Sequence, residues 1–231
     1  MKRLDNRNVD ELRPIEAKAG IIKRADGSGY FKIGDTVAYA AVYGPKDLYP
    51  RFLQDPKKGL LRCNYNMMPF SGSGERIRPG SNRRAKEISM VTEKAFMPVI
   101  NLDEFPNSVV DVFIELPQTD AGTRCAGICA ASIALADAGI SMKDLVTSVA
   151  VGNVNGQIVA DLSKEEEDVE DAVDIPVAII PRTGEVSLLQ MDGMISKDKL
   201  MEAITLAKKV SKQIYKVQKQ ALKKKYEVEL K

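Results

Sequence analysis

Runs of β-branched and apolar residues alternate along the chain with turn-forming residues, and they predict three hairpins. The paired runs are 30–33 with 36–43 around Gly34-Asp35, 145–154 with 157–162 around Asn155-Gly156, and 177–180 with 186–191 around 181–185. Asn-Gly between two such runs is the strongest of these signals, because it suits the tight turn of a two-residue hairpin. A further β-branched run, 109–116, predicts another strand.

Apolar residues recur at helical spacing in three other segments. The first, about 81–97, has Ser81 as a candidate N-cap and a proline directly after it. The second, 126–138, is rich in small residues and is followed by glycine, and the last, about 196–226, carries a long apolar stripe. Hairpins interleaved with helices predict an α+β fold in which helices pack on mixed β-sheets.

The junction between the predicted strand at 109–116 and the helix at 126–138 is the most informative part of the sequence. Gly122 opens the helix, so an anion can approach N–H groups that have no partner inside it, where the helix dipole adds positive charge. Thr123 adds a hydroxyl and Arg124 a fork of donors that fits phosphate. The three residues predict a site for inorganic phosphate or a nucleotide phosphate. The alternative is an ordinary helix start with a solvated arginine.

Composition restricts the chemistry that the chain can perform. Its 231 residues, 44% of them hydrophobic, suffice for a full core, and we expect a single domain over 1–231. The net charge is only +2, so any nucleic-acid surface must come from segregated charge. Histidine is absent, which excludes Ser-His-Asp and Cys-His catalysis and His-ligated metals. An enzyme of this composition works with carboxylates, arginines and a hard metal ion.

The cysteines and the hydropathy pattern predict a cytoplasmic protein. Cys63, Cys125 and Cys129 form an odd set without paired spacing, as in reduced proteins. We interpret Cys125 and Cys129 as packing residues on one helix, with a zinc site as the weaker alternative. No apolar run is long enough to span a membrane and no signal-peptide pattern is present, so no membrane partner is expected.

Arginines cluster in and after a glycine- and serine-rich loop at 70–80. Arg76 and Arg78 lie in this loop, which could order on a polyanion. Arg83 and Arg84 follow at the start of a predicted helix, where cations oppose the dipole unless an anion binds. The alternative is an ordinary solvated arginine pair. The lysines of the last helix are interpreted as its wet face, with nucleic-acid binding as the weaker alternative.

An acidic stretch, 163–174, leads into the apolar strand at 175–180. Most of its carboxylates are expected to form a solvated loop. Asp174 differs because it abuts a buried strand, where burial and nearby charge can shift a carboxyl pKa or position a hard cation. Asp168, six positions earlier, could curl back beside it. The two aspartates are therefore a candidate catalytic and metal-binding pair, while the spacing alone leaves the solvated loop open.

Together these segments resemble the RNase PH family, and more closely the catalytic RNase PH-like subunits of archaeal exosomes. The resemblance is carried, in order, by Arg7, Asp10-Glu11-Leu12-Arg13-Pro14, Ala25-Asp26-Gly27-Ser28-Gly29, Ala40-Ala41-Val42-Tyr43-Gly44-Pro45, Tyr65-Asn66-Met67-Met68-Pro69-Phe70, Arg83-Arg84 with Glu87-Ile88, Asp120-Ala121-Gly122-Thr123-Arg124, Asp174-Ile175-Pro176-Val177-Ala178 and Leu189-Gln190-Met191-Asp192-Gly193. It spans nearly the whole chain, which makes it more specific than any one motif. One departure is Asn6, where the family usually has glycine, and it lies outside the expected chemistry.

The resemblance implies an RNase PH-type fold and an enzyme that degrades single-stranded RNA from its 3′ end with inorganic phosphate as co-substrate. Such an enzyme would release nucleoside diphosphates and tail RNA in the reverse direction. Because it brings an anion against a polyanion, we expect Mg²⁺ as a cofactor. The resemblance further implies a hexameric ring with a related inactive RNase PH-like subunit and RNA-binding cap subunits. The implied roles are phosphate binding for Gly122, Thr123 and Arg124, RNA binding for Arg83 and Arg84, and catalysis for Asp174 with Asp168 as a second acidic position.

Two other functions remain open at the level of sequence. A non-enzymatic RNA-binding or scaffold subunit of the same ring is the first, although such subunits typically lose the phosphate-binding run and the catalytic aspartate, which are both present here. The second is a self-assembling nuclease that trims transfer RNA.

Overall fold

The computed structural model describes residues 3–78 and 82–229. Within these residues it contains nine strands and four α-helices. The strands are β1 Ile15–Ala19, β2 Gly27–Ile33, β3 Thr36–Asp47, β4 Leu60–Met67, β5 Ser108–Gln118, β6 Thr147–Val154, β7 Gln157–Ala160, β8 Val173–Ile180 and β9 Glu185–Leu189. The helices are α1 Arg83–Phe96, α2 Thr123–Asp137, α3 Lys164–Glu167 and α4 Lys197–Glu229.

The strands form two sheets. The first has five strands in the order β1-β2-β3-β5-β4 and is mixed, because β4 runs parallel to β5 while the other pairs are antiparallel. The second has four antiparallel strands in the order β7-β6-β8-β9. The prediction of an α+β fold with packed helices is confirmed, and the first of the two sheets is the mixed one.

Helix α2 packs against strands of both sheets, β2 and β3 in the first and β6 in the second. Its alanines and cysteines are almost all buried, because small side chains let a helix approach two sheets closely. One apolar core runs from Phe31 in the first sheet to Ile175 in the second. The expectation of a single domain stays a prediction.

Most predicted helices and strands are present in the structure, but several begin or end at different residues. The hairpins around Gly34-Asp35 and Asn155-Gly156 are present. Strand β8 begins at Val173, earlier than the predicted start at residue 175, so Asp174 lies inside a strand. The proposed cap Ser81 lies outside the described residues, and Asn82 caps α1 by accepting a hydrogen bond from the Ala85 N–H at 2.7 Å.

The prediction of a solvated loop at 163–174 is wrong for the first part of that segment, which forms α3. Ser163 and Glu166 make a reciprocal capping box at the start of this helix. Glu166 is buried, and its carboxylate pairs with Arg3 at 2.6 Å. The N-terminal segment thereby holds α3 against the body of the protein.

The last helix, α4, packs on both sheets with the predicted apolar stripe. Ala203, Ala207, Val210 and Ile214 are fully buried, while most of its lysines are exposed. Among the described residues, no helix is both long and apolar enough to span a membrane.

The three cysteines are packing residues. Cys63, Cys125 and Cys129 are buried and form no disulfide. Burial raises the pKa of Cys125 to about 12, so its thiol stays protonated and unreactive.

Candidate active site

The start of α2 has the features of an anion site. Gly122 is the N-cap in a left-handed conformation with φ 60° and ψ 21°, and no side chain within residues 3–78 and 82–229 caps the helix. The first N–H groups of α2 are therefore left for another partner. Thr123, 7% exposed, begins the helix at the same point. These features suit a small anion such as phosphate.

Arg124, the next residue, is held by two partners and keeps one donor free. Its Nη1 donates to Gln190 Oε1, and its Nη2 lies 3.8 Å from Glu87 Oε1. Gln190 Nε2 in turn donates to Glu87 Oε1 at 2.8 Å. Among the described residues, the buried Arg124 Nε has no hydrogen-bond partner. A guanidinium that is fixed in direction with a spare donor is prepared to bind an oxyanion.

Asp174 belongs to the second sheet and lines the same cleft. Its backbone is fixed on two sides, by Gly152 on β6 and by a mutual N–H to C=O pair with Asp192. Burial raises the pKa of Asp174 to about 6, with Glu167 acting in the same direction against the charge of Arg124. In the described part of the chain, the buried Asp174 Oδ1 has no hydrogen-bond partner. A carboxyl group with this pKa can hold or release a proton near neutral pH.

These groups line one cleft of about 410 Å³ between the two sheets. Of the predicted site residues, the cleft brings together Arg84, Gly122, Thr123, Arg124 and Asp174. An adjoining groove shares Arg84 and Asp174 with the cleft. The volume of the cleft and its mixture of polar and apolar lining residues suit a nucleotide-sized ligand.

Four predicted residues do not line the cleft. Asp168 is exposed, and its carboxylate pairs with Lys164 at 2.6 Å. Arg76, Arg78 and Arg83 are also exposed and lie outside the lining. The loop that carries Arg76 and Arg78 still contributes Gly72, Ser73, Gly74 and Ile77 to the cleft wall.

Sequence reasoning missed several residues of the site. Lys164 and Glu167 line the cleft from α3, and burial raises the pKa of Glu167. The capping box at Ser163 was the local signal that could have placed this helix. Gln190 and Glu87, which orient Arg124, carry no local signal for that role.

The carboxylates of the cleft are the candidate metal ligands. Across residues 3–78 and 82–229, no group of three or more Asp, Glu, Cys or His side chains is arranged to hold a metal ion. Asp174 and Glu167 nevertheless line the cleft together. Mg²⁺ is commonly bound by one or two carboxylates with substrate phosphates, so these residues fit a shared site for the ion.

The arrangement suits chemistry on phosphate groups, and comparison with known families agrees. The sequence profile described as "3′ exoribonuclease family, domain 1" matches residues 11–141, and the one described as "domain 2" matches 144–210. The chain belongs to this family, RNase PH, so the family resemblance is confirmed. The two profiles meet at the cleft, because Gly122 to Arg124 fall in the first and Asp174 in the second.

Relatives with this fold cover nearly the whole chain. The exosome complex component Rrp41 of Thermococcus kodakarensis is 52% identical over 225 residues, which are 97% of this chain and 90% of the relative. Rrp41 of Methanopyrus kandleri is 49% identical over 224 residues, 97% and 93% of the two chains. The crystal structure of rice (Oryza sativa) Rrp46 matches with a TM-score of 0.85 at 24% identity, over 96% of this chain and 100% of that one. This likeness confirms the RNase PH-type fold.

Proposed function

We propose that this chain is the catalytic subunit of an archaeal RNA exosome, a phosphate-dependent 3′→5′ exoribonuclease that also tails RNA in reverse. The observation that carries the proposal is the cleft in which the start of α2 and the Nε of Arg124, both without a side-chain partner among the described residues, lie with Asp174. Membership of the 3′ exoribonuclease family and about 50% identity to Rrp41 components support it.

The reaction uses groups that the chain possesses. Phosphate is already anionic, so no histidine is needed to generate a nucleophile. We assign the attacking phosphate to the N–H groups of α2, Thr123 and Arg124, which offset the repulsion between phosphate and RNA. One phosphate oxygen attacks the last phosphodiester and forms the P–O–P bond of a nucleoside diphosphate. The bond to the 3′-oxygen of the preceding nucleotide breaks, and that oxygen takes up a proton.

Asp174 is assigned to this leaving oxygen. Its raised pKa of about 6 lets it supply the proton during degradation and accept it from a 3′-hydroxyl during tailing. Asp168 remains a proposed second acidic group. Its support is its pairing with Lys164, which lines the cleft, and its position next to Glu167.

Mg²⁺ is part of the proposal as a cofactor. Glu167 beside Asp174 would hold it together with phosphate oxygens of the RNA. When bound there, the ion would neutralise phosphate charge as RNA and phosphate approach each other.

Single-stranded RNA is proposed to enter along α1. Arg84 lines both the cleft and the adjoining groove, and Arg83 precedes it at the helix start. Arg76 and Arg78 extend this basic path along the loop that forms part of the cleft wall.

The assembly proposed for the chain is a hexameric ring with a related inactive RNase PH-like subunit, topped by RNA-binding caps. The Rrp41 relatives are named exosome components, which supports a ring of this kind. We place the complex in the cytoplasm, because buried cysteines without disulfides suit a reducing compartment.

RNA breakdown is expected to require inorganic phosphate and to yield nucleoside 5′-diphosphates. The test incubates single-stranded RNA and Mg²⁺ with the chain, alone and assembled with its ring partner, in the presence and absence of phosphate. The products are then identified by chromatography. Monophosphates released without phosphate would contradict the mechanism. Intact RNA binding without cleavage in either buffer would instead favour a scaffold subunit.

Replacing Arg83 and Arg84 with alanine is expected to weaken binding of all RNA sequences. Each lost contact to a phosphate of single-stranded RNA should flatten the log–log salt dependence of binding by about 0.7. The measurement is a titration of labelled RNA at several salt concentrations. Arg24→Ala, at an exposed arginine outside the cleft, is the control for general charge loss. An unchanged salt dependence in the double variant would show that Arg83 and Arg84 are ordinary solvated surface residues that do not contact RNA.

A further inference from the structure

The turn between β5 and α2 has an unfavourable backbone. Ala121 and Gly122 are consecutive residues in the left-handed region, with φ of 56° and 60°. Glycine adopts this conformation freely, but alanine does not. A turn of this kind persists only where surrounding groups hold it in place. Because the turn ends at Gly122, the N-cap of α2, its position sets the direction of the proposed phosphate-binding groups.

One buried hydroxyl holds the turn from the first sheet. Thr36, at the start of β3, is completely buried. Its Oγ1 accepts a hydrogen bond from the Asp120 N–H at 2.8 Å and donates one to the Ala121 carbonyl at 2.7 Å. The hydroxyl therefore satisfies two backbone groups on either side of the same peptide unit, and no apolar side chain can replace it.

One buried guanidinium ties the turn to the second sheet. Arg13 Nη1 donates to the Asp120 carbonyl at 2.5 Å and to Asp120 Oδ2 at 3.0 Å. Its Nε and Nη2 donate to the two oxygens of Asp161 at 2.9 and 2.7 Å. Asp161 directly follows β7 and is 2% exposed. The Arg13 side chain passes so close to Gly34 that a Cβ there would lie 2.5 Å from Arg13 Cδ.

Neither Thr36 nor Arg13 lines the cleft, yet both fix the segment that builds one of its walls. Arg13 also joins the two parts of the site, because Asp120 lies in the segment that matches the first family profile and Asp161 in the one that matches the second. A bidentate pair with Asp161 leaves the third nitrogen of the guanidinium aimed at the turn.

We propose that Thr36 and Arg13 are positioning residues for the attacking phosphate. They hold the turn at Asp120 to Gly122 so that the free N–H groups of α2 and the Arg124 side chain converge on one point. The inference rests on the proposed function, because it deepens the role given there to the start of α2. Loss of either residue displaces the proposed phosphate-binding groups, while the proposed RNA path along α1 stays in place.

The test compares Thr36→Val with Thr36→Ser in the assembled enzyme. A misplacement of about 1 Å at a reacting group can lower the reaction rate about a hundredfold. For the smaller displacement caused by Thr36→Val, we expect the KM for phosphate to rise at least about tenfold. The KM for RNA should stay close to that of the wild type. Thr36→Ser restores the hydroxyl and should restore the phosphate KM.

Thr147→Val is the matched control. Thr147 is equally buried, and its Oγ1 donates to the Ile179 carbonyl at 3.2 Å in the second sheet, outside the cleft. This control should lower the melting temperature without changing the phosphate KM. If Thr36→Val instead behaves like the control, with an unchanged phosphate KM, the positioning role is overturned. If Thr36→Val does not fold, Arg13→Lys decides the question by the same readout, since lysine keeps the charge at Asp161 but cannot also reach the turn.

A second readout does not depend on turnover. Inorganic phosphate that binds the folded chain raises its melting temperature in a concentration-dependent way. Thr36→Val should need about tenfold more phosphate than the wild type for the same rise, which is the factor expected for KM. Wild-type protein that is stabilised by phosphate but does not degrade RNA would refute the proposed function alone. Equal phosphate requirements in both proteins would refute the positioning role.

Discussion

Replacing Asp174 with asparagine is expected to abolish RNA degradation and reverse tailing together. Both directions share one transition state, so the group that serves the leaving oxygen in one direction serves the attacking oxygen in the other. Removing a proton carrier of this kind should lower turnover at least about a hundredfold. The measurement is the rate of each direction with equal amounts of folded wild-type and variant protein in the assembled ring.

Stability and RNA binding provide the controls for this variant. The pKa of Asp174 is raised to about 6, so above that pH the charged carboxylate is less stable in the folded than in the unfolded chain. Neutral asparagine removes this penalty, and the variant should melt at or above the wild-type temperature and bind RNA normally. A tenfold loss of turnover corresponds to a barrier change of only about 1.4 kcal/mol. Turnover above about a tenth of the wild-type value would therefore show that Asp174 is not the group that transfers the proton.

Replacing Arg124 with glutamine is expected to raise the KM for phosphate about ten- to a hundredfold, since a charge-assisted hydrogen bond contributes about 1.5–3 kcal/mol. Glutamine keeps an amide that can reach Gln190 but loses the charge and the free Nε. The KM for RNA should change much less, because Arg84 lies along the proposed RNA path. The measurement is phosphate-dependent release of nucleoside diphosphates at saturating RNA.

Two further variants sharpen this result. Arg124→Lys keeps the charge without the fork and should fall between wild type and Arg124→Gln. Arg24→Gln makes the same neutralisation at an exposed arginine outside the cleft and should leave the phosphate KM unchanged. Equal phosphate KM values for Arg124→Gln and Arg24→Gln would place the phosphate elsewhere.

The hairpins and long helices could be predicted because their signals are local. Asn155-Gly156 fixes a tight turn by its own backbone preferences, and both residues have positive φ in the structure. Strand β4 was missed because residues 60–67 contain no β-branched residue. It becomes a strand by parallel pairing with β5, in which Leu60 lies opposite Val109. Pairing between segments this far apart leaves no mark in a short window of sequence.

The candidate site shows the same division. The position of Gly122 to Arg124 at a helix start could be predicted, because a glycine-led helix start is a local motif. The placement of Glu167 in the cleft and Asp168 outside it follows from the direction of α3. That direction depends on the buried pair of Glu166 with Arg3, two residues that are 163 positions apart in the chain. The spacing of residues within 163–174 therefore could not predict this contact.

The raised pKa of Asp174 also bears on how this gene evolves. Most substitutions persist or disappear according to whether the protein stays folded, and stabilising changes are common at sites where function has imposed a penalty. Under the proposed function Asp174 is such a site, because at neutral pH an uncharged residue of the same shape avoids the penalty of the buried carboxylate. A copy of the gene released from selection for activity would therefore lose this aspartate early by drift, with no cost to its shape. The presence of Asp174 together with the Gly122-Thr123-Arg124 run in one chain is therefore what the proposed activity requires.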